Sequence, residues 1–181
     1  MRMKNLLIAL GMLGLLLMAA PAAQAQINSN VATVNLNATL NESITVSAAP
    51  GLVNFALIGS GVSNGSNQIG ITTAWSLNTT RTNVSVYAYF ASAASALSDG
   101  AGNNIPSANV AGSVNGGAFG PFTGASPFSG ASAVTVANQA VGAGTFNSSR
   151  NDTLDLRIDT TGLGLPAATY LGVLNIQAQA I

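Results

Sequence analysis

Residues 153–159 read Thr-Leu-Asp-Leu-Arg-Ile-Asp, and the alternation in that run decides the fold class. Leu154, Leu156 and Ile158 fall on one parity, and Thr153, Asp155, Arg157 and Asp159 on the other. An extended chain sends successive side chains to opposite faces, so the run predicts a strand with one apolar face. Its charges should face water, as they can on an antiparallel sheet packed on one side only.

Working outward, the same period of two recurs. In Ile69-Gly70-Ile71-Thr72-Thr73-Ala74-Trp75-Ser76-Leu77, the residues Ile69, Ile71, Trp75 and Leu77 share a face. Val84, Val86, Ala88 and Phe90 do the same, with Ser85, Tyr87 and Tyr89 opposite. Val34, Leu36, Ala38 and Leu40 alternate with Asn35, Asn37 and Thr39, and their parity continues through Ile44 and Val46. Val53, Phe55 and Leu57 predict a short strand after the Pro50-Gly51 turn. Behind Pro166, a closing strand places Tyr170, Leu174, Ile176, Ala178 and Ala180 on one side. Asn64-Gly65, Asp99-Gly100 and Asn115-Gly116 are dipeptides suited to the positive φ of tight turns. Beyond the first residues no segment sustains a helical period with caps, and Ala91 to Ala96 offers a helical turn or two at most. Short strands, regular turns and little helix predict an all-β protein, an immunoglobulin-like antiparallel β-sandwich of about seven to nine strands. A membrane barrel is the rival architecture. It would need a lumen for Asp155, Arg157 and Asp159 and more strands than the chain supplies.

The first residues read as an address. Arg2 and Lys4 precede an uncharged apolar stretch from Leu6 to Ala20, Pro21 breaks it, and Ala23-Gln24-Ala25 offers the small-x-small pattern of a signal-peptidase site. Residues 1–25 are therefore expected to be a cleaved bacterial-type signal peptide. Residues 26–181 would form one sandwich domain, exported to the periplasm, cell surface or medium. The apolar stretch falls short of the about 20 residues of a spanning helix, so no transmembrane segment is expected in the mature chain. Processing would also remove Lys4, the one lysine, leaving three arginines against five carboxylates. That balance provides no basic footprint for nucleic acid. So weakly charged a surface resists association poorly, which suits a protein that assembles.

Residues 94–132 are rich in Gly, Ala, Ser and Asn and read as a long loop region carrying Phe119, Phe122 and Phe128. Those rings either tuck onto the sandwich or form a recognition loop. Tyr87 and Tyr89 are the companion candidates for sugar stacking, unless a second layer covers them.

Chemistry is bounded by elimination. The chain has no histidine and no cysteine, so Ser-His-Asp and Cys-His catalysis and the usual zinc ligands are excluded. A mature chain without lysine has no Schiff-base chemistry and no Lys–Asn isopeptide cross-link. Asp152, Asp155 and Asp159 form the one acidic cluster, whose spacing matches no calcium loop. A solvated face with local ion pairing accounts for it better than paired-carboxylate catalysis. No cofactor, metal site or enzymatic activity is expected.

Three motifs together carry a resemblance. Ser43-Ile44-Thr45-Val46 leading to Leu52-Val53-Asn54-Phe55 resembles the early strand pair of secreted bacterial fimbrial-type and spore-coat-U-like β-sandwich proteins. The ending Leu165-Pro166-Ala167-Ala168-Thr169-Tyr170-Leu171-Gly172-Val173-Leu174-Asn175-Ile176 is similar to their closing strand, and Trp75-Ser76-Leu77 resembles the W-x-L signature of certain cell-wall-bound domains. The chain differs from the fimbrial pattern in lacking a cysteine pair and in carrying Ala180, not tyrosine, as its penultimate residue. The resemblance implies an immunoglobulin-like surface protein.

Two functional expectations follow. The first is a pilus, fibre or coat subunit in which Val34, Leu36, Ala38 and Leu40 form a donor strand that joins the edge of another copy or another surface protein. The same segment could instead pair within its own sheet. The second is an adhesin or carbohydrate-binding module that meets glycans through Tyr87, Tyr89, Phe119, Phe122 and Phe128.

Overall fold

A computed structural model describes residues 27–128 and 132–181. The expected signal peptide, residues 1–25, lies outside the described residues. The chain divides into two units, Met1–Ala38 and Thr39–Ile181, and the sheets belong to the second. Its strands are β1 (Ser43–Ala49), β2 (Val62–Asn64), β3 (Ile69–Ser76), β4 (Asn83–Phe90), β5 (Leu97–Ser98), β6 (Asn104–Ile105), β7 (Val110–Val114), β8 (Gly120–Pro121), β9 (Ser132–Ala140), β10 (Asn147–Asp159), β11 (Leu171–Gly172) and β12 (Asn175–Ala180). The protein is all-β with antiparallel sheets. Among the described residues the only helix is one 3-10 turn, Ser107–Asn109.

The largest sheet runs β1-β3-β10-β7-β8, with β2 paired to the far end of β10. β10 is its axis. The first part of β10 pairs with β3 (Asp152 opposite Ile71, Leu154 opposite Ile69), and its last residues lie between β7 and β2. A second sheet runs β12-β4-β9, and a small third one β11-β5-β6. Inward residues of the two larger sheets meet in one apolar cluster. β3 contributes Ile69 and Ile71, β10 contributes Leu154, Leu156 and Ile158, and β4 contributes Val86, Ala88 and Phe90. Burial of each of these Ile, Leu, Val and Phe side chains stabilises the fold by about 1.5–3 kcal/mol. β9 adds Val136 and Ala137, neighbours in sequence that are both buried because a bulge shifts the register opposite Val86 and Tyr87.

Alternation predicted β3, β4 and the second half of β10 with the correct inward faces; β10 starts earlier, at Asn147, and β3 ends at Ser76, before Leu77. The Asn115-Gly116 turn forms as expected, with φ of 51° and 73° and Gly117 N–H donating to Val114 O at 2.9 Å.

Several expectations need correction. Residues 34–40 are not a strand. The chain enters the sheet at Ser43, so only Ile44 and Val46 of that parity are half-buried. Residues 53–57 keep the expected alternation of burial but make a single bridge, Phe55 to Gly65, because no strand runs alongside them. Ala91 to Ala96 carry no helix. Tyr170 precedes the closing strand, which begins at Asn175, while Leu171 and Gly172 pair instead with β5. The largest change concerns residues 94–132, which hold β5 to β8, with β7 inside the main sheet. Composition concealed β7 because the site demands small residues. A Cβ on Gly112 would stand 2.9 Å from Leu154 Cδ1 and 3.2 Å from Phe122 Cε2.

Candidate functional site

Among the described residues, two apolar features of the surface stand out, an N-terminal arm and a groove. The arm comprises residues 27–41, which carry no regular structure and are exposed throughout. Val34, Leu36 and Leu40 are 82%, 93% and 82% exposed, although each has the apolar character of a core strand residue. The arm ends at a defined anchor. Glu42 Oε1 accepts the Asn78 N–H at 2.7 Å and Arg81 Nε–H at 3.1 Å, and Glu42 Oε2 accepts Arg81 Nη2–H at 3.0 Å. These contacts tie the residue before β1 to the turn between β3 and β4. Arg81 holds the Glu42 carboxyl below its ordinary range and is itself raised by the contact.

The groove, about 620 Å³, opens between segments 50–57 and 168–174, the second of which contains β11. Its floor is the core itself: Ile69, Phe90, Val110, Leu156 and Ile158 line it from below. Its lining contains no charged side chain. Leu52 on one rim is 67% exposed, and Leu171 and Val173 on the other are 73% and 72% exposed. Among the described residues no backbone hydrogen bond joins the two rims. One rim is braced internally. Tyr170 Oη–H donates to Pro166 O at 3.0 Å, and burial pushes the phenol pKa up, with the Asp99 charge adding to the shift. Sequence reasoning missed Leu52, Leu171 and Val173. The signal was present in Tyr170-Leu171-Gly172-Val173-Leu174, where both parities are apolar and one side of the segment therefore lacks a water-compatible face.

The aromatic candidates are dispersed and engaged. Phe122 is fully buried and meets Phe90 edge-on at 5.0 Å, so it faces the core and no ligand. Tyr89 is buried, stacks on Phe128 at 5.6 Å and donates its hydroxyl hydrogen to Gln177 Oε1 at 2.9 Å. Tyr87 meets the edge of the same ring at 6.0 Å. Phe119 lies under the Arg157 guanidinium, 4.4 Å from its ring centroid. Trp75 is a core residue whose Nε1–H donates to Thr145 O at 2.9 Å.

The acidic residues separate. Asp152 is on the inward parity with Leu154. It takes two bonds from Arg150, at 2.6 and 2.7 Å, and one from Asn115 Nδ2–H at 2.9 Å. Asp155 and Asp159 face the other way, where Asp155 accepts from Gln68 Nε2–H at 2.8 Å and Asp159 from Thr161 N–H at 2.9 Å. The carboxyls of residues 152, 155 and 159 are therefore not one cluster. Among the described residues no group of three or more potential ligands is placed to hold a metal ion, and no helix is long and apolar enough to cross a membrane.

A scan of protein-family models gave no match, and a search of curated proteins gave none either.

Proposed function

We propose that this protein is a non-catalytic, secreted or cell-surface structural protein of bacterial type, a subunit of a pilus, fibre or coat. Its domain is read as an immunoglobulin-like sandwich that joins other copies by β-strand addition. The observation that carries this reading is the arm. Val34, Leu36, Ala38 and Leu40 carry an alternating apolar pattern, with Asn35, Asn37 and Thr39 between them, and among the described residues they are exposed and form no strand. An isolated strand satisfies neither its backbone groups nor its apolar face, whereas pairing with a neighbour's sheet satisfies both. Export is supported by the basic-apolar-AQA order of the first residues. The near absence of charge supports a role in a packed assembly.

The glycan-binding alternative draws less support, since Phe122 and Tyr89 are buried and Phe128 and Phe119 already cover partners within the chain. Electron microscopy of the purified chain starting at Gln26 tests the proposal. Fibres or regular layers are expected at high concentration. A dispersed field of single particles, together with saturable binding on a glycan array, would favour the adhesin.

A further inference from the structure

The Asn115-Gly116 turn after β7 lies against the buried Arg150–Asp152 pair of β10. We infer that Asn115 is a latent deamidation site, held unreactive by that pair and unable to return once it has reacted. The attacking group is free. Among the described residues the Gly116 N–H has no hydrogen-bond partner, residues 115–117 are exposed, and nothing lies within 4 Å of the place of a Gly116 Cβ. The positive φ of both residues suits this dipeptide and keeps it in the turn. The group under attack is clamped. Asn115 Nδ2–H donates to Asp152 Oδ1 at 2.9 Å, and Asn115 Oδ1 accepts the Thr153 N–H at 2.8 Å. Attack on Cγ can proceed only after the carboxamide releases both bonds and turns toward the Gly116 nitrogen. Asp152, with its side chain 1% exposed, is fixed in turn by Arg150 at 2.6 and 2.7 Å. The clamp lasts as long as that pair does.

In the reaction the Gly116 nitrogen gives its proton to hydroxide or water and forms a bond to Asn115 Cγ. The Cγ–Nδ2 bond breaks, ammonia leaves and a cyclic imide closes. Water then opens either imide carbonyl, which restores the N–H and yields aspartate or its β-linked isomer. Both products replace a donor to Asp152 with a second carboxylate. Like charges at one partly buried place repel, so the clamp cannot re-form. Asn64-Gly65 is protected by other means and serves as the control. Asn64 pairs with Arg157 at the far end of β10, and the Gly65 N–H donates to Leu156 O at 2.8 Å.

The test incubates the folded full chain at mildly alkaline pH and follows both Asn-Gly pairs by mass spectrometry of their peptides. Arg150→Met with Asp152→Leu removes the clamp and puts apolar bulk in place of the ion pair, and circular dichroism checks that the fold is kept. Asn115 should then react at least about tenfold faster than in the parent, the worth of one charge-assisted hydrogen bond, while Asn64 keeps its rate. Asp152→Asn, closer in shape to the parent, should give a smaller rise at Asn115 alone. Asn115→Asp, the product itself, should lower the denaturant midpoint of the parent and leave that of the double variant nearly unchanged. An Asn115 rate that neither set of substitutions alters overturns the clamp, and so does a rise shared equally by Asn64, which reports general loosening. A folded parent that deamidates at Asn115 as fast as the chain in urea overturns it too. An Asn115→Asp midpoint equal to that of the parent removes the claim that the product cannot return to the clamped state.

Discussion

Asp152 shows how one residue on the inward parity of a strand can be charged and still belong there. Its side chain is almost wholly buried, and Arg150 supplies two charge-assisted bonds. Arg150 in turn donates from Nη1 to Gln139 Oε1 at 3.3 Å, joining β10 to β9 of the other sheet. These bonds hold the Asp152 carboxyl below its ordinary range. The unfolded chain therefore takes up the proton more readily, and the stabilisation from the pair is complete above about pH 4. It is lost as pH falls through the lowered folded-state pKa. Asp152→Ala should cost about 3 kcal/mol at pH 7, because it strands a partly buried guanidinium. Replacing the pair together, Arg150→Met with Asp152→Leu, should recover most of that loss. Denaturant midpoints read both, and the gap between parent and Asp152→Ala should shrink below about pH 4. Thr73 predicts the opposite sign. Its hydroxyl is fully buried and has no hydrogen-bond partner among the described residues. Thr73→Val should raise stability by about 1 kcal/mol, and a lower denaturant midpoint for that variant would count against the geometry.

At the scale of elements, what the sequence made legible was periodicity sustained by large side chains. Ile69, Ile71 and Trp75 in β3, Val84, Val86 and Phe90 in β4, and Leu154, Leu156 and Ile158 in the second half of β10 share the inward parity, so strand and face were readable together. β7 escaped notice because its sequence, Val-Ala-Gly-Ser-Val, sits against Phe122 and Leu154, where bulk has no room. Residues 34–40 failed in the opposite sense. Their pattern specifies an apolar face, but pattern cannot say which sheet supplies the neighbour, and β1 begins only past Glu42. The aromatic site candidates were misleading for a related reason: a phenylalanine in a glycine-rich segment is apolar whether it is buried, as Phe122 is, or half-covered, as Phe119 is. The small sheet makes a specific demand. A Cβ on Gly172 would collide with the carbonyl of Ala96 and stand 2.9 Å from Leu97 Cγ. Gly172→Ala should therefore separate β11 from β5 at a cost of about 1–3 kcal/mol. Faster amide exchange across residues 96–98 should accompany it, and unchanged exchange there would show that the close approach is not required.

The molecule as a whole combines a well-filled core with an unfinished surface. One side of the core is open between segments 50–57 and 168–174, and among the described residues the apolar arm joins no strand. Under the proposed assembly, a neighbouring subunit would give the arm a partner. Little of this was legible in sequence beyond the arm, because the groove arises from segments more than a hundred residues apart meeting over the same core. Since neither arm nor groove carries charge, association should persist in high salt. Sedimentation velocity of the chain from Gln26, followed over a series of rising concentrations, measures the claim directly. The account predicts a ladder of species growing by one subunit at a time, retained at high salt. A single monomeric boundary at every concentration would contradict it.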